Sequence, residues 1–250
     1  MNELKTMVSA QFSRSALLKS AGAAGASLML AQMGFMRATA SAGETEGVQE
    51  ILDILATNEA FGVTLVGTVL DYAMHGAYSP AIPHKVLKVL TGVRAQEQFH
   101  LDFLTRAGGH LRTDTFYLAD PKLLRDPHTL FTDLVALEDA AIAAVMASML
   151  TFTRERRFDL LKANFQFATE EAEHRLLANH ALGTRPANDL AFQPALFDTV
   201  DEFYAMLKKK GIIGGGLGGK KITYPGAGQI DPDNVIYRTP GGPAVACTPR

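Results

Sequence analysis

Four long apolar segments with helical periodicity, each with a glutamate on its apolar face, constrain the fold of this 250-residue chain more than any other feature. Spacings of three and four place the apolar residues of each segment on one helix face. The glutamates on those faces are Glu59, Glu97, Glu138 and Glu171, and the steps between them are 38, 41 and 33 residues. Each step is about one helix plus a connection, so we predict an all-α fold in which four helices share a core.

Proline and glycine residues indicate where these helices begin and end. Pro83 suits the start of the second helix, and Gly108 and Gly183 suit the ends of the second and fourth. The predicted helices span residues 48–75, 83–107, 128–153 and 158–182. The connection from 108 to 127 is too long for a hairpin turn, so we predict a four-helix bundle with one long crossover between its second and third helices.

Histidines follow two of the four glutamates at a spacing of three residues, which puts both side chains on one helix face. Four carboxylates in one core would repel each other and partly protonate, whereas two divalent cations would balance their charge. We therefore predict two metal ions, about 3.5–4 Å apart as in other two-metal sites. In this interpretation Glu97 and Glu171 bridge the ions and are the candidate catalytic residues, while each histidine marks one ion. The predicted metal ligands are Glu59, Glu97, His100, Glu138, Glu171 and His174.

Each of these residues also has a plainer interpretation. A single glutamate such as Glu138 is usually a solvated helix residue, and a single histidine such as His100 is often a partly buried core residue. The run formed by Glu170, Glu171 and Glu173 could be only a solvated acidic face. Glu170 lies four residues before His174 and Glu171 lies three before it. We prefer Glu171 as the ligand because it repeats the spacing of the second helix, and Glu170 stays the alternative.

The two Glu-x-x-His stretches resemble a known family. Residues 96–100, Gln-Glu-Gln-Phe-His, and residues 171–175, Glu-Ala-Glu-His-Arg, look like those of ferritin-like domain proteins, including the desiccation-related proteins of plants and their bacterial relatives. The resemblance covers about 48–183 and extends more distantly to rubrerythrins, bacterioferritins and manganese catalases. It implies a ferritin-like bundle with a dinuclear site, but no single reaction, since that group includes peroxidases, ferroxidases, catalases and members with no assigned activity.

The first 42 residues have the features of an export signal peptide. Arg14 and Lys19 precede an apolar stretch, and a small-residue cleavage site follows at Ala40-Ser41-Ala42. The apolar part is too short and too rich in glycine and alanine for a bilayer span, so we expect no stable membrane anchor. Residues 13–19 resemble a twin-arginine motif with Ser15 in place of the second arginine. We therefore predict a periplasmic or extracellular protein, exported by a route of the twin-arginine type.

Composition agrees with one exported domain followed by an extension. The leader contains four Lys/Arg and one Asp/Glu, which leaves 20 basic and 25 acidic residues and a net charge of −5; this disfavours nucleic-acid binding. Cys247 is the only cysteine, so no internal disulfide forms. We assign 43–185 to the bundle and 186–250 to a C-terminal extension, with a short helix at 200–210. The Gly/Pro-rich tail after it is interpreted as loop, packed along the bundle or onto a neighbouring subunit, or as disordered. Self-association into a homo-oligomer stays open.

Two classes of function fit these features. The first is a redox enzyme in which a carboxylate-bridged pair of iron ions acts on O₂, peroxide or Fe(II) in stress protection; manganese-catalase chemistry is a variant of it. The second is a non-catalytic desiccation- or stress-related protein whose metals mainly stabilise the bundle. Ligand type does not choose between iron and manganese, because their availability decides, and the likeness of the fold does not choose the reaction.

Overall fold

The structure is a computed structural model that describes residues 46–184 and 193–229. Four long helices dominate this part of the chain, and a fifth, shorter helix follows. The helices are α1 (Val48–Met74), α2 (His84–Arg106), α3 (Pro127–Arg154), α4 (Phe158–Ala181) and α5 (Val200–Lys209). Each predicted helix is confirmed to within one residue at either end. The predicted signal peptide, Cys247 and the tail beyond 229 lie outside the described residues.

Local sequence accounts for several of the helix boundaries. The Asp126 side chain accepts hydrogen bonds from the backbone N–H groups of His128 and Thr129, and Pro127 is the first residue of α3, a combination that favours helix initiation. Thr199 caps α5 in the same way, by accepting from the N–H of Glu202. These contacts satisfy N–H groups that have no partner inside the helix.

The long helices pack in pairs that contact each other. Helix α1 lies along α2 and α3 lies along α4, while α1 also contacts α3 and α2 contacts α4. Their apolar faces form one hydrophobic core that continues under α5. At the end of α2, a Cβ on Gly109 would lie 2.8 Å from the carbonyl oxygen of Leu52. Only glycine therefore permits the close approach of the two chains there.

The long crossover between α2 and α3 has structure of its own. It contains strand β1 (Thr115–Leu118) and a 3₁₀ turn (Pro121–Leu124). The Tyr78 hydroxyl donates to the carbonyl of Leu123 at 2.9 Å, and this fixes the end of the crossover against the α1–α2 connection. The crossover is therefore packed rather than free.

The glycine-rich segment after α5 was predicted as loop, and this prediction is wrong for part of it. Strand β2 (Lys220–Thr223) pairs antiparallel with β1, so that Ile222 lies opposite Phe116. Ile222 and Phe116 are both buried and join the core. A four-residue strand with lysines at its start carries too little alternation to be recognised alone, and its partner lies about a hundred residues earlier in the chain.

Two of the helices, α1 and α3, are long and apolar enough to cross a membrane by length and composition alone. Their most apolar windows are 72% and 50% buried inside the structure. A core helix passes the same test, so this property is weak support for a membrane span.

Candidate metal centre

The six residues that the glutamate and histidine pattern singled out meet in the core between the four long helices. They form two groups, and within each group one potential ligand atom from every residue lies within 4.8 Å of the others. Glu97 and Glu171 belong to both groups. Glu59 and His100 complete one group, and Glu138 and His174 complete the other. The buried glutamates and histidines could therefore hold metal, with two carboxylates common to both positions.

The first group surrounds one ring nitrogen of His100. Its Nδ1 lies 3.1 Å from Glu171 Oε1 and 3.3 Å from Glu59 Oε2. The Asn58 side-chain amide donates to the other oxygen of Glu59 at 3.3 Å. His100 is completely buried and Glu59 is 5% exposed. This group therefore joins residues of α1, α2 and α4.

The second group surrounds the Nδ1 atom of His174. Its Nδ1 lies 3.1 Å from Glu171 Oε2, 3.2 Å from Glu97 Oε1 and 4.0 Å from Glu138 Oε1. The two oxygens of Glu171 thus face different histidines, as a bridging carboxylate must. Beside this group the Arg175 guanidinium donates to Asp139 at 2.6 Å and ties α4 to α3.

The Nε2 atom of each histidine faces a polar side chain of the other histidine's helix. His100 of α2 faces Glu170 of α4, with 2.8 Å between Nε2 and the carboxylate oxygen. His174 of α4 faces Gln96 of α2, with 3.0 Å between Nε2 and the amide oxygen. Because each Nε2–H has an acceptor, each Nδ1 is directed at the carboxylates and its lone pair is available to a metal. One acceptor is an acid and the other an amide, so the two positions are not equivalent.

Aromatic and apolar residues enclose the cluster. The Phe167 ring packs on His100 with 4.6 Å between ring centroids, and Phe103 packs edge-on against Phe167 at 5.2 Å. Phe167 thus covers His100 and is itself buried. Since water is largely kept out, the charges of the cluster must be balanced from within it.

Burial raises the pKa of Glu59 and Glu138, the two glutamates that belong to only one ligand group each. Removal from water, reinforced by the charge of nearby Glu171, raises the pKa of Glu59 well above its ordinary value. The same two causes raise the pKa of Glu138 well above the ordinary carboxyl value. Without metal, both side chains therefore favour the protonated form more than an exposed glutamate does.

Hydrogen bonds between the histidines and the glutamates favour the charged forms of His100, His174 and Glu171. Burial disfavours a charged imidazole, but hydrogen bonds to Glu170, Glu171 and Glu59 outweigh it and raise the pKa of His100 well above its usual value. Hydrogen bonds to Glu171 and Glu97 do the same for the pKa of His174. Burial opposes ionisation of Glu171, yet its hydrogen bonds to both histidines hold its pKa well below the ordinary value. Protons on the two histidines thus balance part of the carboxylate charge in the metal-free cluster, and metal binding must displace them.

A glycine of α1 makes room for one of the shared carboxylates. A Cβ on Gly62 would lie 2.7 Å from Oε2 and 2.9 Å from Cδ of Glu97, closer than such contacts normally come. Gly62→Ala is therefore expected to displace the Glu97 carboxylate and weaken metal binding by about 10–100-fold, the cost typical of disturbing the residues that support a ligand. The variant should not lose helix stability, because alanine favours a helix more than glycine by about 1 kcal/mol.

Gly92→Ala is the matched control for this prediction. Gly92 lies inside α2, and nothing lies within 4 Å of a Cβ placed on it. The metal affinity of each variant is measured by titration calorimetry, and the melting temperature of the metal-free forms is compared. Equal metal affinity in the Gly62→Ala and Gly92→Ala variants would show that the Glu97 carboxylate does not need this space.

The glutamate and histidine pattern indicated the six residues of the cluster but not the residues that support them. Gln96 lies four residues before His100, and Glu170 lies four residues before His174. This repeated position could have indicated that both residues support the cluster. Nothing in the sequence indicated the contact of Gly62 with Glu97. Glu173 is exposed, as expected for a residue outside the site. Four other histidines lie at helix ends or in connections: His75, His84, His110 and His128.

Comparison of the chain with protein-family models, with curated proteins and with solved structures gives no match.

Proposed function

We propose that this protein is a ferritin-like four-helix bundle that holds a dinuclear iron or manganese centre and acts as an oxidoreductase on O₂, peroxide or Fe(II). The carrying observation is the pair of buried ligand groups that share Glu97 and Glu171. The chain order of the ligands is the one found in ferritin-like di-iron and di-manganese proteins, where two helices each give a glutamate and two give Glu-x-x-His.

Charge supports two divalent ions rather than one. With both imidazoles neutral, the four glutamates bring four negative charges into a core from which water is largely excluded. One divalent ion would leave half of that charge unbalanced, and an unpaired buried charge is costly. Because Glu97 and Glu171 belong to both groups, each position has two carboxylates in common with the other and two ligands of its own.

The donor set favours a metal that accepts both oxygen and imidazole nitrogen. Each group offers three carboxylates and one histidine, and neither contains a thiolate. Iron and manganese suit such ligands, and the affinity of a site for iron generally exceeds that for manganese. We therefore propose iron as the metal, with manganese where it is the more available of the two.

The residues of this chain bind, orient and shield the centre. A pair of iron or manganese ions, when bound, supplies reversible one-electron steps that can be used two at a time. Glu59 and Glu138 would each ligate one of the two ions. Glu170 and Gln96 hold the imidazole N–H groups, which fixes the orientation of His100 and His174. The Phe167 ring keeps water from the His100 side of the cluster.

Metal analysis combined with a turnover assay tests this function. Purified protein is loaded anaerobically with Fe(II) or Mn(II), freed of excess metal and analysed for metal per chain. The loaded protein is then given O₂ or peroxide, and consumption of either is followed together with the oxidation of added Fe(II). We expect two ions per chain and turnover of at least one oxidant. If two ions bind without any turnover, the enzyme interpretation is wrong and the protein is a metal-stabilised bundle. If only trace metal binds, the proposed metal site is wrong.

A further inference from the structure

A cavity of about 320 Å³ lies outside the metal cluster, between α1, α2 and strand β2. A cavity of this size can receive a small molecule. None of the six cluster residues lines it. Its polar wall is formed by Arg94 of α2, Lys220 of β2, and Thr68 and Asp71 of α1.

The Arg94 guanidinium is the unusual feature of this cavity. Its Nε is inaccessible to water and has no hydrogen-bond partner within the described part of the chain. Among those residues no carboxylate pairs with it either. A guanidinium presents five donors in a planar fork and normally finds acceptors for them when it is partly buried. The Nε of Arg94 therefore lacks the acceptor that a buried guanidinium donor ordinarily has.

Gly67 leaves the space that the Arg94 guanidinium occupies. A Cβ on Gly67 would lie 2.8 Å from Nε and 2.9 Å from both Cζ and Nη2 of Arg94. The guanidinium thus lies flat against the backbone of α1, at a place where any side chain would push it away. Its position follows from the close approach of α1 and α2.

A second cation faces the same cavity. The Lys220 ammonium lies 5.6 Å from the centre of the Tyr72 ring, and no acidic side chain of the described residues pairs with it. Strand β2 is held over the cavity because Tyr224 donates its hydroxyl hydrogen to Gln98 of α2 at 2.7 Å. The opposing charge, Asp71, is 61% exposed and already lies 3.4 Å from His75. Among the residues that line the cavity, the two cations therefore outnumber the single carboxylate.

We propose that this cavity binds a small organic anion, whose carboxylate or phosphate group accepts hydrogen bonds from Arg94 and Lys220. The planar fork of Arg94 matches two oxygens of either group. The volume leaves room for an organic portion against Tyr72 and Ile222. This site is independent of the metal cluster and of the proposed redox activity.

Titration calorimetry of the full-length, metal-loaded protein tests the proposal, with inorganic phosphate and succinate as probes. Chloride keeps the ionic strength constant. We expect saturable binding of at least one probe, weakened about tenfold or more in Arg94→Gln, because hydrogen bonds to charged groups are the strong ones. Lys220→Gln should weaken binding less, since that lysine is exposed. Phosphate alone or succinate alone would identify the anionic group, and either supports the site.

Gly67→Ala gives a test that leaves both cations in the chain. It should displace the guanidinium and weaken the same binding, whereas Gly92→Ala, which has open space around its Cβ, should not. Melting curves verify that each variant is folded. If Arg94→Gln does not fold, the affinity of Gly67→Ala for the probes tests the proposal instead. Absence of saturable binding in the wild type would overturn the proposal. So would wild-type affinity in the Arg94→Gln variant, which would place the anion at the metal centre or elsewhere.

Discussion

Glu97→Ala is expected to remove both metal ions rather than one. The Glu97 carboxylate belongs to both ligand groups, so its loss takes an oxygen ligand from each position and leaves His174 without one of its acidic neighbours. We expect metal affinity to fall by at least about 100-fold, since even residues behind the ligands contribute 10–100-fold. Oxidation of Fe(II) should be lost with the metal. Metal content after desalting and calorimetric titration measure the effect.

Two other variants show whether the loss is specific. Glu173→Ala removes a carboxylate of the same helix as Glu171, but that side chain is exposed, so metal content should be unchanged. His100→Ala removes a ligand of one group only and should damage one metal position more than the other. If Glu97→Ala retains both ions, Glu97 does not bridge them. If Glu173→Ala is as damaging as Glu171→Ala, the ligand on α4 is wrongly assigned.

Removal of the metal is expected to destabilise the fold, and to do so more strongly as pH rises. Metal at a hundred times its dissociation constant adds about 2.7 kcal/mol to the free energy of unfolding. For a domain of this size that corresponds to a melting temperature roughly 5–10 °C higher. The physical reason is that the ions neutralise carboxylates that otherwise depend on protons.

The pH dependence follows from the directions of the pKa shifts. The pKa values of Glu59, Glu138, His100 and His174 are all raised in the folded protein. Such groups stabilise the metal-free fold at low pH, and this contribution is lost as pH rises through their folded pKa values. Glu171, with its lowered pKa, does the opposite: its contribution is lost only as pH falls through that lowered value. Metal affinity increases with pH, because the ligands must release protons to bind.

The melting temperatures of metal-loaded and metal-free protein should therefore diverge as pH rises above the ordinary glutamate and histidine pKa values, about 4.3 and 6.5, toward the raised values of the folded protein. Scanning calorimetry before and after chelation measures the difference, and elemental analysis verifies the removal. Glu97→Ala serves as the control, since its melting temperature should not respond to metal. An unchanged melting curve after verified metal removal, or a difference that narrows with rising pH, would contradict this expectation.

Helix positions were predictable because the causes are local. The apolar stripe of each helix, Pro83 before α2 and Gly183 after α4 are all read within a few residues of chain, and the structure agrees to within one residue. The same holds for the two Glu-x-x-His spacings, since a separation of three fixes two side chains on one helix face. Strand β2 was missed because its stability comes from pairing with β1 and from burial of Ile222, neither of which is a local property.

The sequence by itself determined five helices and the six acidic and histidine residues that belong on their inner faces. Only the tertiary structure decided how those residues meet: Glu171 between the two histidines, Glu170 behind His100, and Gly62 against Glu97. It also brought Arg94 and Lys220 to one cavity. The physical reason is that periodicity specifies which face of a helix is buried, whereas the approach and register of two helices depend on the packing of side chains from distant parts of the chain.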